Sequence, residues 1–130
     1  MSIKKSPYLA PLSIFIGATF EYEFEVRLNN IPVPAADISN VIFEGATKYA
    51  HQTPTALFTA TQADGDITVT EVGDDTIVSI ELTSTFTNAI DYTTLNGGKG
   101  VYEIFVVFTD GTKRLYAYGD LNFKGNVVGA

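Results

Sequence analysis

The sequence contains no cysteine and no tryptophan, and it has one histidine among its 130 residues. The absence of cysteine excludes disulfides, thiolate nucleophiles and cysteine-based metal sites, and it leaves the redox compartment undetermined. The single histidine, His51, cannot supply the usual zinc ligand set by itself. It falls in a polar loop, and nothing in the sequence places a nucleophile and an orienting carboxylate beside it. We therefore expect no catalytic residue, no metal and no cofactor, and a protein that is not an enzyme.

Basic residues are also few. The chain has 8 Lys and Arg against 15 Asp and Glu, for a net charge of −7, whereas nucleic-acid binding requires clustered cations that contact phosphates. No apolar run approaches the ~20 residues that span a bilayer, and residues 1–5 are not followed by the apolar segment of a signal peptide. We expect a leaderless product that binds neither nucleic acid nor membrane. Its length and its hydrophobic content of 45% are those of one domain with a real core.

Two groups of carboxylates are candidate sites. Calcium binds carboxylate and loop carbonyl oxygens, but Asp and Gly are also ordinary turn residues, and the aspartates lack the rest of a calcium loop. Glutamates at alternate positions of one strand have the spacing of a catalytic pair, but an exposed strand face is not a cleft. Turns and a solvated strand face are the favoured interpretations for these residues, which are Asp64, Asp66, Asp74, Asp75, Glu21, Glu23 and Glu25.

Short alternating segments dominate the rest of the pattern. From residue 18 to residue 28, apolar and charged residues alternate with the period of a half-buried strand. Similar segments separated by Gly, Asn, Asp and Pro predict an all-β fold, an antiparallel immunoglobulin-like β-sandwich of about seven to eight short strands. At most one short helical turn is expected, within residues 83–90, with Thr83 or Ser84 as its cap. The predicted divisions are an N-terminal extended arm (1–13), the sandwich (14–124) and a C-terminal tail (125–130).

One predicted hairpin joins residues 67–72 to residues 76–82 around Asp74 and Asp75. In that register Ile67 opposes Leu82 and Val69 opposes Ile80. All four apolar side chains would then lie on one face.

The hairpin predicted over residues 101–123 carries more apolar surface than one core requires. A two-residue turn at Asp110 and Gly111 would divide its side chains between two faces. The inner face would hold Tyr102, Ile104, Val106, Leu115 and Ala117, and the outer face would hold Phe105, Val107, Tyr116 and Tyr118. An antiparallel sheet needs only one core face, so the aromatic outer face is predicted to be a protein interface.

The N-terminal arm offers two further candidate interface residues, Tyr8 and Leu9, next to prolines that favour an extended path. The arm could be a frayed terminus, could cover the outer face of its own chain, or could dock on a neighbouring subunit. These alternatives stay open at this point.

Several of these motifs, in the same order, resemble a family of small β-sandwich domains encoded by tailed bacteriophages, among them the N-terminal modules of baseplate upper proteins. The resemblance covers residues 13–128 and rests on strand and turn patterns. Its elements are an alternating aromatic strand after Gly17, an Asp37-Ile38 turn into a strand, the Leu82-Thr83 turn with Thr87, and the closing hairpin from Gly100-Val101-Tyr102 through Asp110-Gly111 to Gly119-Asp120-Leu121.

The resemblance implies a non-enzymatic virion protein, made in the host cytoplasm: a head decoration, a head-fibre base, a collar or a tail or baseplate adaptor. Its partners would be other capsid, neck or tail proteins, and it would be present as a homo-oligomer or in repeated copies. The alternative is a carbohydrate- or ligand-binding sandwich that uses loops 47–55 and 88–100, with His51 and Tyr92.

Overall fold

The computed structural model describes residues 8–9, 11–48, 56–91, 95 and 98–125. Strands account for most of the regular structure in these ranges, with one short helix, α1 (Ser84–Asn88), and a 3₁₀ turn at Ala35–Asp37. The strands are β1 (Tyr8–Leu9), β2 (Leu12–Phe15), β3 (Phe20–Glu25), β4 (Arg27–Leu28), β5 (Ile31–Pro32), β6 (Ile38–Ala46), β7 (Ala56–Thr61), β8 (Ile67–Val72), β9 (Asp75–Leu82), β10 (Lys99–Phe108) and β11 (Lys113–Lys124).

The strands form two sheets and a small hairpin. The large sheet has the order β1-β11-β10-β6-β7, with β2 also paired to β11, and the small sheet has the order β3-β9-β8. Lettered along the chain from β3 as strand B, the central strands read G-F-C-C′ against B-E-D, which is the variable-type immunoglobulin arrangement. The predicted all-β sandwich is confirmed.

The core lies between the two sheets. Phe20 of the small sheet stacks on Phe43 of the large sheet, with ring centroids 5.9 Å apart, and Phe24 stacks on Tyr116 at 5.5 Å. Fully buried side chains alternate along β10, where Tyr102, Ile104 and Val106 each have no exposed area. This period-2 burial is the physical reason that one face of each strand had to be apolar.

One tight turn and the predicted cap of the short helix are defined at the level of atoms. Asn29 and Asn30 both have positive φ, 52° and 67°, which suits the two-residue turn between β4 and β5. The hydroxyl of Thr83 accepts a hydrogen bond from the Phe86 amide at 3.2 Å and caps α1. Buried Thr87 then ties α1 to the turn before β3, because its Oγ1 accepts from the Gly17 amide at 3.1 Å.

The β8–β9 hairpin is present, but its predicted register is wrong by two residues. Ile67 opposes Ile80 and Val69 opposes Val78, because the turn is formed by Gly73 and Asp74. Gly73 has φ of 64°, a conformation that favours glycine. A shift of two residues leaves every side chain on its predicted face, so the apolar pattern could not reveal the error.

The part of the N-terminal arm that the structure describes extends the large sheet of its own chain. Tyr8 and Leu9 of β1 lie parallel to Ala117 and Tyr118 of β11. β2 follows on the same edge and begins at Leu12, inside the predicted arm. The described arm therefore lies at an edge of the sheet.

Candidate protein interface

The register of the β10–β11 hairpin matches the prediction at its far end and departs from it near the turn. The matching pairs are Tyr102 with Gly119, Glu103 with Tyr118, and Ile104 with Ala117. The connection is a three-residue loop, since the Phe108 amide bonds the Thr112 carbonyl at 2.8 Å. The predicted two-residue turn is wrong. A β-bulge at Tyr116 compensates for the longer loop and restores the predicted register beyond it.

Local contacts stabilise the three-residue loop. Asp110 accepts a hydrogen bond from the Thr112 amide at 2.8 Å, and this bond lowers the pKa of the Asp110 carboxyl group. Gly111 has φ of 93°, a position at which glycine avoids backbone strain.

The bulge places Tyr116 in the core, so its predicted position on the outer face is wrong. Tyr116 is 5% exposed and packs against Phe24. Its hydroxyl donates to the carbonyl oxygen of Glu25 at 2.7 Å and accepts from the Arg27 amide at 3.0 Å. These two backbone groups flank the break between β3 and β4, so Tyr116 satisfies polar groups of the opposite layer. Burial raises the pKa of the Tyr116 hydroxyl above its ordinary value.

Leu115 is also on the face opposite to the one predicted. It was predicted on the inner face, but it pairs with Phe105, whose neighbours Ile104 and Val106 are both fully buried. Cross-strand partners share a face, so Leu115 lies with Phe105 on the outer face. The bulge thus replaces a tyrosine with a leucine on that face.

We define the outer surface as the solvent-facing side of β6, β10 and the first half of β11. Three transverse rows of side chains follow from the pairing. The central row is apolar, and the rows on either side of it differ in charge. The rows are Ile42, Phe105 and Leu115; Glu44, Glu103 and Tyr118; and Asn40, Val107 and Lys113. All of these side chains are half-buried except Lys113, which is exposed.

Lys113 covers part of the central row from the side. Its Nζ lies 4.4 Å from the centroid of the Phe105 ring, a cation–π geometry that is worth about 0.5–1 kcal/mol at an exposed site. Glu44 and Glu103 face each other directly across β6 and β10, and like charges in that relation are destabilising. One margin of the apolar row is therefore acidic and the other is basic.

A hollow of about 150 Å³ adjoins the acidic row and is lined in part by Glu44, Lys48, Val101 and Glu103. Small-molecule sites usually have volumes of ~300–1,000 Å³. The hollow beside the acidic row is smaller than such a site.

Of the six residues predicted for the interface, the structure places Phe105, Val107 and Tyr118 together on the outer surface. Tyr8 and Leu9 pair with β11 through their backbones. Ile42 and Leu115 were missed as surface residues. Ile42 lies between Val41 and Phe43, which are both fully buried, so its side chain is on the opposite face of β6.

The other candidate sites are dispersed or lie outside the described residues. His51 and Tyr92, proposed for ligand binding, fall among residues that are not described. Asp75 forms an ion pair with Arg27 at 2.9 Å. In the described ranges no three His, Asp or Glu side chains come together as a possible metal site.

No helix in the described part of the chain has the length and apolar character required to cross a membrane.

No family model and no curated protein matches this chain. Among solved structures, 242 chains match. One is from a study of multimeric cell-adhesive interactions of VGSC beta subunits, with a TM-score of 0.44 and 11% identity over 97% of this chain and 98% of that chain. A shared fold does not by itself specify a function.

Proposed function

We propose that this protein is a non-enzymatic structural component of a bacteriophage virion, and that it binds other virion proteins through the outer surface. One observation carries the proposal. The row formed by Ile42, Phe105 and Leu115 is apolar, although the opposite side of the same sheet already forms the core. Interface centres are enriched in aromatic and aliphatic side chains and depleted in charge.

The rest of the outer surface supports the same assignment. Its charged residues lie at the margins of the apolar row, and polar groups at the rim of an interface set its orientation. A net charge of −7 opposes non-specific association of the chain, so contact is favoured only where two surfaces complement each other.

Assembly in a particle also accounts for a surface of modest size. A symmetric particle repeats the same contact many times, and linked contacts give high overall affinity even when each one is weak. The bacteriophage assignment itself comes from the resemblance of the strand and turn motifs. The candidate locations in the particle are a head decoration, a head-fibre base, a collar, or a tail or baseplate adaptor.

The proposal is tested on particles purified by density gradient from the bacterial strain that carries this gene. Quantitative mass spectrometry should detect peptides of this chain at a fixed ratio to the major capsid or tail protein. A chain that is expressed in the cells but missing from purified, infectious particles would contradict a structural role in the virion.

A further inference from the structure

The two margins of the apolar row carry opposite charge at equal distances from its centre. Glu103 and Val107 lie two residues before and after Phe105 on β10, so each lies ~6.8 Å from the central row. Glu103 faces Glu44 across the strands, whereas Val107 faces Lys113. A surface that is acidic at one end and basic at the other can complement an identical surface.

Two copies packed through this surface would be related by a two-fold axis that lies in the plane of contact. If the axis runs along the strands, the acidic row of one copy meets the acidic row of the other, which places four carboxylates, Glu44 and Glu103 from each copy, at one end. If the axis runs across the strands, the order of the rows reverses. Each acidic row then meets the row that contains Lys113, and the two apolar rows still stack on each other.

We propose that the outer surface pairs with a second copy of this chain, with the strands of the two copies antiparallel, so that Lys113 of each copy meets Glu103 of the other. This inference rests on the proposed function for its use of the outer surface, and it names the partner and the orientation. Lys113 lies on the strand next to Val107, so a lateral reach of ~4.8 Å brings its ammonium group to the opposing Glu103. The contact also places a cation beside the opposed pair of Glu44 and Glu103.

The area of the outer surface indicates how tightly the two copies should bind. Three strands ~4.8 Å apart, each contributing about seven residues of ~3.4 Å, give a flat area of roughly 340 Å² per copy. A standard stable interface buries ~800 Å² per partner. The dimer should therefore be weak and reversible, with dissociation constants in the range of roughly 10 μM to 1 mM.

The test is sedimentation equilibrium of the full chain across that concentration range, at low salt. Lys113→Glu and Glu103→Lys should each weaken dimerisation by about tenfold or more, because symmetry places each change at two contacts. The double variant Lys113→Glu/Glu103→Lys should recover the wild-type dissociation constant to within about threefold.

Matched controls change the same charges elsewhere. Arg114→Glu alters the neighbouring exposed residue, which pairs with Val106 rather than Val107. Glu81→Lys alters an exposed residue of the small sheet. Both controls should dimerise within about threefold of wild type. If circular dichroism shows that a charge-reversal variant is unfolded, Lys113→Gln or Glu103→Gln replaces it. Each of these variants should weaken dimerisation less than the charge reversal does.

Three results would overturn the inference: a wild-type chain that stays monomeric at ~1 mM, single variants that dimerise as well as wild type, or a folded double variant that does not recover. The proposed function is tested separately, by the presence of the chain in purified particles. A monomeric chain that is still present in purified particles would contradict the second copy as partner and leave the virion role intact. A charge-dependent dimer that is missing from particles would support the second copy as partner and contradict the virion role.

Discussion

The hydroxyl of Tyr116 donates a hydrogen bond to the carbonyl oxygen of Glu25 at 2.7 Å, and so joins the two sheets across the core. The hydroxyl oxygen of Tyr116 also accepts a hydrogen bond from the Arg27 amide at 3.0 Å. Those backbone groups lie on either side of Val26, where β3 gives way to β4. The bulge in β11 is what turns Tyr116 toward them, and it is also what leaves Leu115 on the outer surface.

Tyr116→Phe should destabilise the folded chain by about 1–3 kcal/mol, because it leaves the Glu25 carbonyl and the Arg27 amide without their buried partner. Self-association should be unchanged, since Tyr116 lies in the core. Urea denaturation measures the free energy of unfolding, and sedimentation equilibrium measures self-association. Tyr118→Phe removes the same atom from a half-buried residue of the outer surface and should cost less stability. Equal stability of Tyr116→Phe and wild type would show that the hydroxyl is not stabilising the two layers.

The stability contributed by Tyr116 should depend on pH in the alkaline range. Burial raises the pKa of its hydroxyl above the ordinary value of 10.0. Below that value both states keep the proton and the contribution is complete. Above it the unfolded state ionises first and binds fewer protons than the folded state, so stability falls as the pH rises toward the folded pKa.

The comparison of wild type with Tyr116→Phe isolates this effect, because every other tyrosine is common to both. The difference in their free energies of unfolding should be constant up to about pH 9 and should shrink above pH ~10. A difference that stays constant through pH ~11 would mean that the hydroxyl titrates alike in the folded and unfolded chains.

Gly45→Ala should destabilise the large sheet. A Cβ atom at position 45 would lie 2.8 Å from Cδ2 of Phe58 and closer still to Cε2. The Phe58 ring is 9% exposed and sits edge-on to Phe43 at 5.2 Å, so it has little room to move. Overpacking of this kind typically costs about 1–3 kcal/mol.

A second change at Phe58 tests the cause. Gly45→Ala/Phe58→Leu should cost less than the sum of the two single changes, because the smaller side chain makes room for the new methyl group. Thermal or urea denaturation of wild type, the two single variants and the double variant measures the four stabilities that this comparison needs. Strictly additive losses would mean that the Phe58 ring is not what requires glycine at position 45.

The sequence predicts the strands better than it predicts their registers. Strands are visible because burial alternates along them, as it does through Tyr102, Ile104 and Val106. The bulge at Tyr116 is not visible in the same way. Leu115 and Tyr116 are both apolar enough for either face, and what selects Tyr116 is a pair of backbone groups that lie about 90 residues away in the sequence, at separations of 91 and 89.

The candidate surface could likewise be predicted only in part from the sequence. Phe105 and Val107 lie on the predicted face because burial alternates along β10, and Tyr118 does so because the far end of the hairpin has the predicted register. Ile42 joins them only through the pairing of β6 with β10. That pairing is a long-range relation, and the local pattern of either strand does not contain it.

The claim that the outer surface is the assembly surface is tested most directly by the copy number of two variants in purified particles. Val107→Asp places a carboxylate on the outer surface, and Val72→Asp makes the same change at a residue that is 61% exposed at the tip of the β8–β9 hairpin. Circular dichroism melts first establish that both variants fold. The account predicts that Val72→Asp is incorporated at the wild-type copy number and that Val107→Asp is lost from the particles. A folded Val107→Asp chain present at the wild-type copy number would contradict it.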